Sequence, residues 1–394
     1  MVELLICLAV MLIALSLLLR KDPSCTPKIS LLLTEKIYAV PGMECNIYFN
    51  NIVTVINYKN YVFEVISPLG QTDAERWRLI PEEKDAGEHK ITIRVHDENG
   101  VVAEGSTLLC VTPIPPGDCA LSLLLMGDSQ TGAVGYPEHI FERMACCKNI
   151  SFHMTGSRTG NDDAPPAAAA AREGYGGWGW NTFFTNFGVE ESGANDGLHP
   201  DRPKLRNSPF LFPEGNSFKF DLVQYFDKYA QGKVPDTLIV MLGINNVFCA
   251  KSNDEIDRIW VREIYPYMKQ LVEEFRKLSP AIHIAFCTLT PGAFSQDAFG
   301  HCYRCSYNLW QWRKNHLYYH KKLFKAAKEL NVPLIPVHTA VDGANGFPET
   351  VETVSQSSDK TVVRQSNAVH PDASGYRQIG DCIFSYLIYH LNSR

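Results

Sequence analysis

The sequence predicts an α/β protein preceded by a small all-β sandwich domain, the α/β part being a doubly wound parallel sheet with helices on both faces. Three observations carry this. Short β-like runs follow one another through the N-terminal third, separated by turn residues. Beyond Thr112-Pro-Ile-Pro-Pro-Gly-Asp118, apolar runs alternate with helix-like stretches. The first of these runs, Leu121-Ser-Leu-Leu-Leu-Met126, ends in Gly127-Asp128-Ser129, and an apolar run stopped by turn residues reads as a buried parallel strand.

The first 24 residues are set apart. Leu4 to Leu19 form an unbroken apolar stretch, short for a bilayer span and the right size for the core of a signal peptide. Glu3 ahead of it, and Arg20 and Lys21 after it, depart from the usual signal pattern. Export is the expectation, to the periplasm, the cell surface or the medium, with an uncleaved membrane anchor as the alternative. The remaining composition, 45% hydrophobic and 20% charged over 394 residues, is that of a globular chain with enough apolar material for real cores. A formal net charge of −6 without basic blocks gives no support for nucleic-acid binding.

Residues 28–112 make up the sandwich. Strands are expected at Ile29–Leu33, Cys45–Phe49, Tyr61–Ile66, His89–Val95 and Val101–Val111, and His89-Lys-Ile-Thr-Ile-Arg-Val95 alternates as a half-buried strand should. Residues 113–119 form a stiff Pro-rich linker. Twelve cysteines are many for a cytosolic protein. Cys45, Cys110 and Cys119 could staple the N-terminal part of an exported chain. Cys302-Tyr-Arg-Cys305 has metal-ligand spacing but no second pair, so disulfide or free thiols are expected there and no metal.

The α/β domain spans 120–394. After the first strand come Ile150–Met154, Pro235–Leu242, Ala281–Leu289 and Val332–Val337 as strands, with helices over Tyr136–Met144, Asp254–Leu278, Trp310–Leu330 and Ala373–Leu391. Residues 156–218 read as a long irregular insertion rich in Gly, Pro, Asn and Ala. Loops of that length inside a compact domain are usually functional or disordered.

Four motifs line up along this domain: Gly127-Asp-Ser129, Glu173-Gly-Tyr-Gly-Gly-Trp178, Leu242-Gly-Ile-Asn-Asn246 and Asn367-Ala-Val-His-Pro-Asp-Ala-Ser-Gly-Tyr376. In this order they resemble the SGNH hydrolases, also called the GDSL esterase/lipase family, over about Leu121 to Leu391. The resemblance implies a flavodoxin-like sheet and acyl transfer without a cofactor. Ser129 would be the nucleophile and His370 its base, with the Ser129 N–H, the Gly177 N–H (or Gly176 in the alternate register) and the Asn245 amide around the oxyanion. The family usually has an aspartate three residues before the histidine, and here that position is Asn367. Three arrangements follow: a Ser-His-Asn triad, a dyad supported by a backbone carbonyl, or an acid from elsewhere. Asp372 is expected to cap the last helix and Asp128 to hold the nucleophile turn. Gln130 replaces the leucine of the usual string.

Tyr175, Trp178 and Asn246 beside the oxyanion residues suit contact with a sugar ring; the alternative is that Trp178 and Trp180 pack the loop down. The expected activity is therefore hydrolysis of small O-acyl esters, O-acetyl above all, on a carbohydrate. The alternatives are a non-catalytic carbohydrate-binding or surface protein on a degenerate scaffold, and a lipase or thioesterase of the same fold. The expected partner is an acylated small molecule or polysaccharide.

Overall fold

The computed structural model describes residues 29–55, 57–159, 170–187 and 207–394. The apolar stretch Leu4 to Leu19 and most of the alanine run of the insertion lie outside the described residues.

Seven strands build the N-terminal part. One sheet has the order β1 (Lys36–Ala39), β7 (Gly100–Val111), β6 (Gly87–Asp97), β3 (Val62–Ile66), and the other β2 (Cys45–Tyr48), β5 (Arg76–Leu79), β4 (Gln71–Thr72). The alternation in β6 is what joins them. Ile91, Ile93 and Val95 are fully buried and meet Ile47, Trp77 and Leu109, while Thr92 and Arg94 between them are partly exposed. The stretch Ile29–Leu33 contributes only a bridge from Leu31 to Val53. The first full strand is β1, which has no alternation because both its faces are covered: Ile37 and Ala39 enter the sandwich core, Tyr38 the core of the second domain.

The second domain is built on β8 (Cys119–Gly127), β9 (Ile150–Thr155), β13 (Thr237–Met241), β14 (His283–Cys287) and β15 (Leu334–Ile335). They pair in parallel in the order β9, β8, β13, β14, β15. Numbered along the chain this is 2-1-3-4-5, the flavodoxin-like winding, whose ligand site lies outside the carboxyl ends of the strands. A sixth short strand, β10 (Glu173–Gly174), runs beside the end of β8. The helices that matter for the site are α1 (Ser129–Gly132), α2 (Tyr136–Ala145), α3 (Leu222–Ala230), α4 (Ile244–Val247), α5 (Asn253–Ile259), α6 (Tyr265–Leu278), α7 (Gln296–Tyr303), α8 (Leu309–Glu329) and α9 (Ala373–Asn392).

Three features differ from the sequence reading. The helix expected over Asp254–Leu278 is interrupted by a π-turn, Trp260–Ile264, before α6; Pro266 has no N–H to continue the ladder there. The insertion is partly regular, since it carries β10, a turn of helix at Thr182–Thr185 and the start of a hairpin, β11 (Leu211–Glu214) with β12 (Ser217–Phe220). A second hairpin, β16 (Glu349–Thr353) with β17 (Thr361–Gln365), precedes the histidine motif.

The two domains share a seam. Tyr38 packs against Tyr386 and Tyr389 of α9, with ring centroids 4.9 Å apart in both pairs. The half-buried Arg313 guanidinium of α8 donates to the side chain and carbonyl of Asn50 and to the Val55 carbonyl. His338 Nε2 lies 3.0 Å from the Leu32 carbonyl, and Asn51 donates to the Val341 carbonyl. All ten described cysteines are free thiols, so neither Cys45, Cys110 and Cys119 nor Cys302 and Cys305 form the staples considered above. Among the described residues no helix is long and apolar enough to cross a membrane.

Candidate active site

Three strand ends bring the first three motifs together. Gly127 of β8 pairs with Gly174 of β10 on one side and Met241 of β13 on the other. The chain then leaves the sheet at each point: to Ser129, to Gly177 and to Asn245. At Gly127 a Cβ would run into the Thr131 side chain, so only glycine lets the turn into α1 fold back this tightly. Asp128 caps that turn, its Oδ1 accepting from the Gln130 N–H at 2.9 Å. Ser129 occupies the first position of α1, where an N–H has no place in the helical ladder.

The fourth motif arrives from the loop before α9. His370 Nε2 lies 2.7 Å from Ser129 Oγ. For the hydroxyl to donate, the imidazole must be neutral with its proton on Nδ1. Burial holds its pKa below the ordinary histidine value, which keeps it neutral near pH 7. That pair can remove a proton from the serine as the oxygen attacks.

Asn367 does not complete a triad with it. Its Oδ1 accepts from the backbone N–H groups of Val369 and His370, at 3.0 and 2.9 Å. Both lone pairs of that oxygen are thereby used, and its Nδ2 can only donate. Asn367 shapes the backbone under the histidine and leaves Nδ1 alone. Asp372 is no substitute, because its carboxylate caps α9 through the N–H groups of Ser374 and Gly375. Among the described residues no carboxylate faces His370 Nδ1.

The oxyanion residues stand as follows. Gly177 is exposed and left-handed, with φ +80°; Gly176 beside it is partly buried. Asn245 is exposed on α4, and its Nδ2 donates to the Trp178 carbonyl at 2.8 Å. One amide hydrogen thus fixes the side chain to the glycine loop, while the other has no partner among the described residues. Asn246 is structural: it accepts from the Trp180 N–H at 3.1 Å and donates to Asn181.

Tyr175 and Trp178 do not offer a stacking surface for a sugar; of the two readings, packing of the loop is the one the structure has. Both are buried, their rings stacked at 4.1 Å with Phe183 against them edge-on. They bury the loop so that Gly177 alone stands proud of it.

Two residues of that loop were not singled out from sequence. Arg172, 1% exposed, pairs with Glu138 at 2.7 Å and donates to the Ala133 carbonyl. Glu173, fully buried, accepts from the Ser157 N–H and hydroxyl and from the hydroxyls of Tyr175 and Tyr225. Burial raises its pKa against the pull of those donors. An adjacent Arg-Glu pair inside an apolar and glycine-rich stretch was the available signal, since buried charges are nearly always paired or fully hydrogen-bonded. No group of His, Cys, Asp and Glu among the described residues could hold a metal ion.

The family profile for GDSL-like lipases/acylhydrolases matches residues 123–383. No curated protein matches the chain by sequence. Among solved structures, an acetylxylan esterase from Geobacillus stearothermophilus is similar with a TM-score of 0.36 at 13% identity, covering 68% of this chain and 93% of its own. An alpha/beta hydrolase enzyme from the metagenome of Lake Arreo, Spain, has a TM-score of 0.34 at 13% identity, covering 68% and 96%.

Proposed function

The chain belongs to the GDSL-like lipase/acylhydrolase family, and from that premise we propose that it is a serine esterase hydrolysing small O-acyl esters, O-acetyl groups on carbohydrate above all. One observation carries the catalytic reading, the 2.7 Å contact between Ser129 Oγ and His370 Nε2. Ser129 attacks the ester carbonyl as His370 takes its proton. The oxyanion is met by the Ser129 and Gly177 N–H groups and the free amide hydrogen of Asn245. Collapse expels the alcohol, which takes the proton back from His370. Water, deprotonated by the same imidazole, then releases the acid from the acyl-serine.

The preference for a short acyl group on a carbohydrate rests on a sandwich preceding the hydrolase domain and on an apolar stretch, Leu4 to Leu19, of the size that suits export; the buried Tyr175 and Trp178 lend it nothing. Export through Leu4 to Leu19, or anchoring by it, belongs to the same proposal. The opposing reading, a binding protein on a degenerate scaffold, draws on the absence of a carboxylate behind His370 among the described residues.

The test is hydrolysis of nitrophenyl acetate by the full chain and by Ser129→Ala, followed by butyrate, octanoate and an acetylated xylo-oligosaccharide. Turnover lost by at least about 10⁴-fold in the variant is expected, with acetate preferred over octanoate. Equal background rates on every ester would overturn the esterase reading in favour of the binding protein.

A further inference from the structure

Gln130 follows the nucleophile directly, and it is fully buried. Its Nε2 donates to the Val369 carbonyl at 2.8 Å and lies 2.9 Å from Thr290 Oγ1, while its own N–H is held by Asp128. The amide orientation follows from the chemistry: a carbonyl can only accept, so the nitrogen must face Val369. Val369 is the residue directly before His370. A closed ring results, running from Ser129 along the chain to Gln130, through its side chain to Val369, along the chain to His370, and across the 2.7 Å contact back to Ser129 Oγ.

We propose that Gln130 is the positioning residue that sets the Ser129–His370 distance, the task a carboxylate behind the imidazole would otherwise share. This rests on the esterase reading of the same site. The physical case has three parts. Asn367 secures the histidine turn from below, through the N–H groups of Val369 and His370. Gln130 secures it from the nucleophile side, through the carbonyl of the same Val369. The loop after β14 adds a third tie, the Ala293 N–H to the Ala368 carbonyl at 3.0 Å. Leucine at position 130 would fill the space and donate nothing, leaving the Val369 carbonyl without its partner and the histidine turn untied on the nucleophile side. A drift of about 1 Å at a reacting pair can cost as much as 10²-fold in rate.

Gln130→Met keeps the length and apolar bulk and removes the donor. Active sites are first counted with a serine-reactive fluorophosphonate, so that unfolded protein is not scored. Per active site, kcat on nitrophenyl acetate should fall by about 10- to 100-fold with KM unchanged. Gln130→Glu supplies a second signature. A protonated carboxyl can donate to Val369 and a carboxylate cannot, so its rate relative to wild type should recover as pH falls, which a packing role would not produce. The ¹⁵N signals of the His370 imidazole provide a readout that needs no turnover: the shift produced by the Ser129 hydroxyl on Nε2 should vanish in Gln130→Met. A wild-type chain with no turnover overturns the esterase reading. Unchanged kcat in an active chain, or an unchanged His370 signal in Gln130→Met, overturns the positioning role.

Discussion

The two halves of the site are held by opposite means. The glycine loop is fixed by charged groups: the buried Arg172 paired with the half-buried Glu138, and Glu173 with four donors around it. The histidine turn is fixed by neutral amides. Gln130 holds the Val369 carbonyl, Asn367 holds two N–H groups, and Gln365 accepts from Ser295 and donates to the Gly343 carbonyl. Ionised hydrogen-bonding groups give stronger bonds than neutral ones, at a higher cost if a partner is lost. The half proposed to bind the oxyanion is therefore held by charged groups, and the half proposed to pass the proton by neutral amides.

The comparison can be tested from its strongest consequence downwards. Asn245→Ala removes a proposed oxyanion donor and the tie to the Trp178 carbonyl together, and kcat should fall by about 10²–10³-fold with KM little changed. Glu173→Ala leaves four donors without their acceptor, those of the buried Tyr175 and Tyr225 and of the half-buried Ser157. The loss should be about 3 kcal/mol of unfolding free energy by urea titration, larger than that for Gln365→Ala if charge is what distinguishes the halves.

Asp128 lies between the two halves, and burial pushes its carboxyl up to about 7. Its Oδ2 is buried with no partner among the described residues. A raised acid pKa means that the folded state holds a proton which the unfolded chain gives up near pH 4. The stability it contributes is thus complete below pH 4 and lost as pH rises to about 7. The melting-temperature difference between Asp128→Asn and wild type should move in favour of the variant from pH 5 to pH 8, and a constant difference would refute this. The smallest effect is expected from Asn367→Asp. A carboxylate under the imidazole favours its protonated form, so the acid limb of the pH–rate profile should move up by about one unit. A profile that stays put would mean that the new acid, like Asn367, speaks only to the backbone.

How much of this the sequence disclosed follows from the range of each interaction. The β6 strand was legible because alternation is local, and Ser129 and His370 because each stands in a short motif at a strand or helix end. Strand β1 was not, since a strand covered on both faces loses its period. Tyr175 and Trp178 looked like a binding surface because composition does not say which way a loop turns its rings. Gln130 was visible only as a departure from a pattern; its partner is 239 positions away, and no periodicity links a side-chain amide to a distant carbonyl.

The seam between the domains has a further consequence, for heredity as much as for folding. A sandwich joined by a flexible tether can be gained, lost or exchanged with little harm to the enzyme beside it. Here its removal would strip the cover from Tyr386, strand the half-buried Arg313 guanidinium and leave His338 without the Leu32 carbonyl. The GDSL-like domain depends on its neighbour to complete these contacts, so the two should melt in one transition and be inherited as one piece.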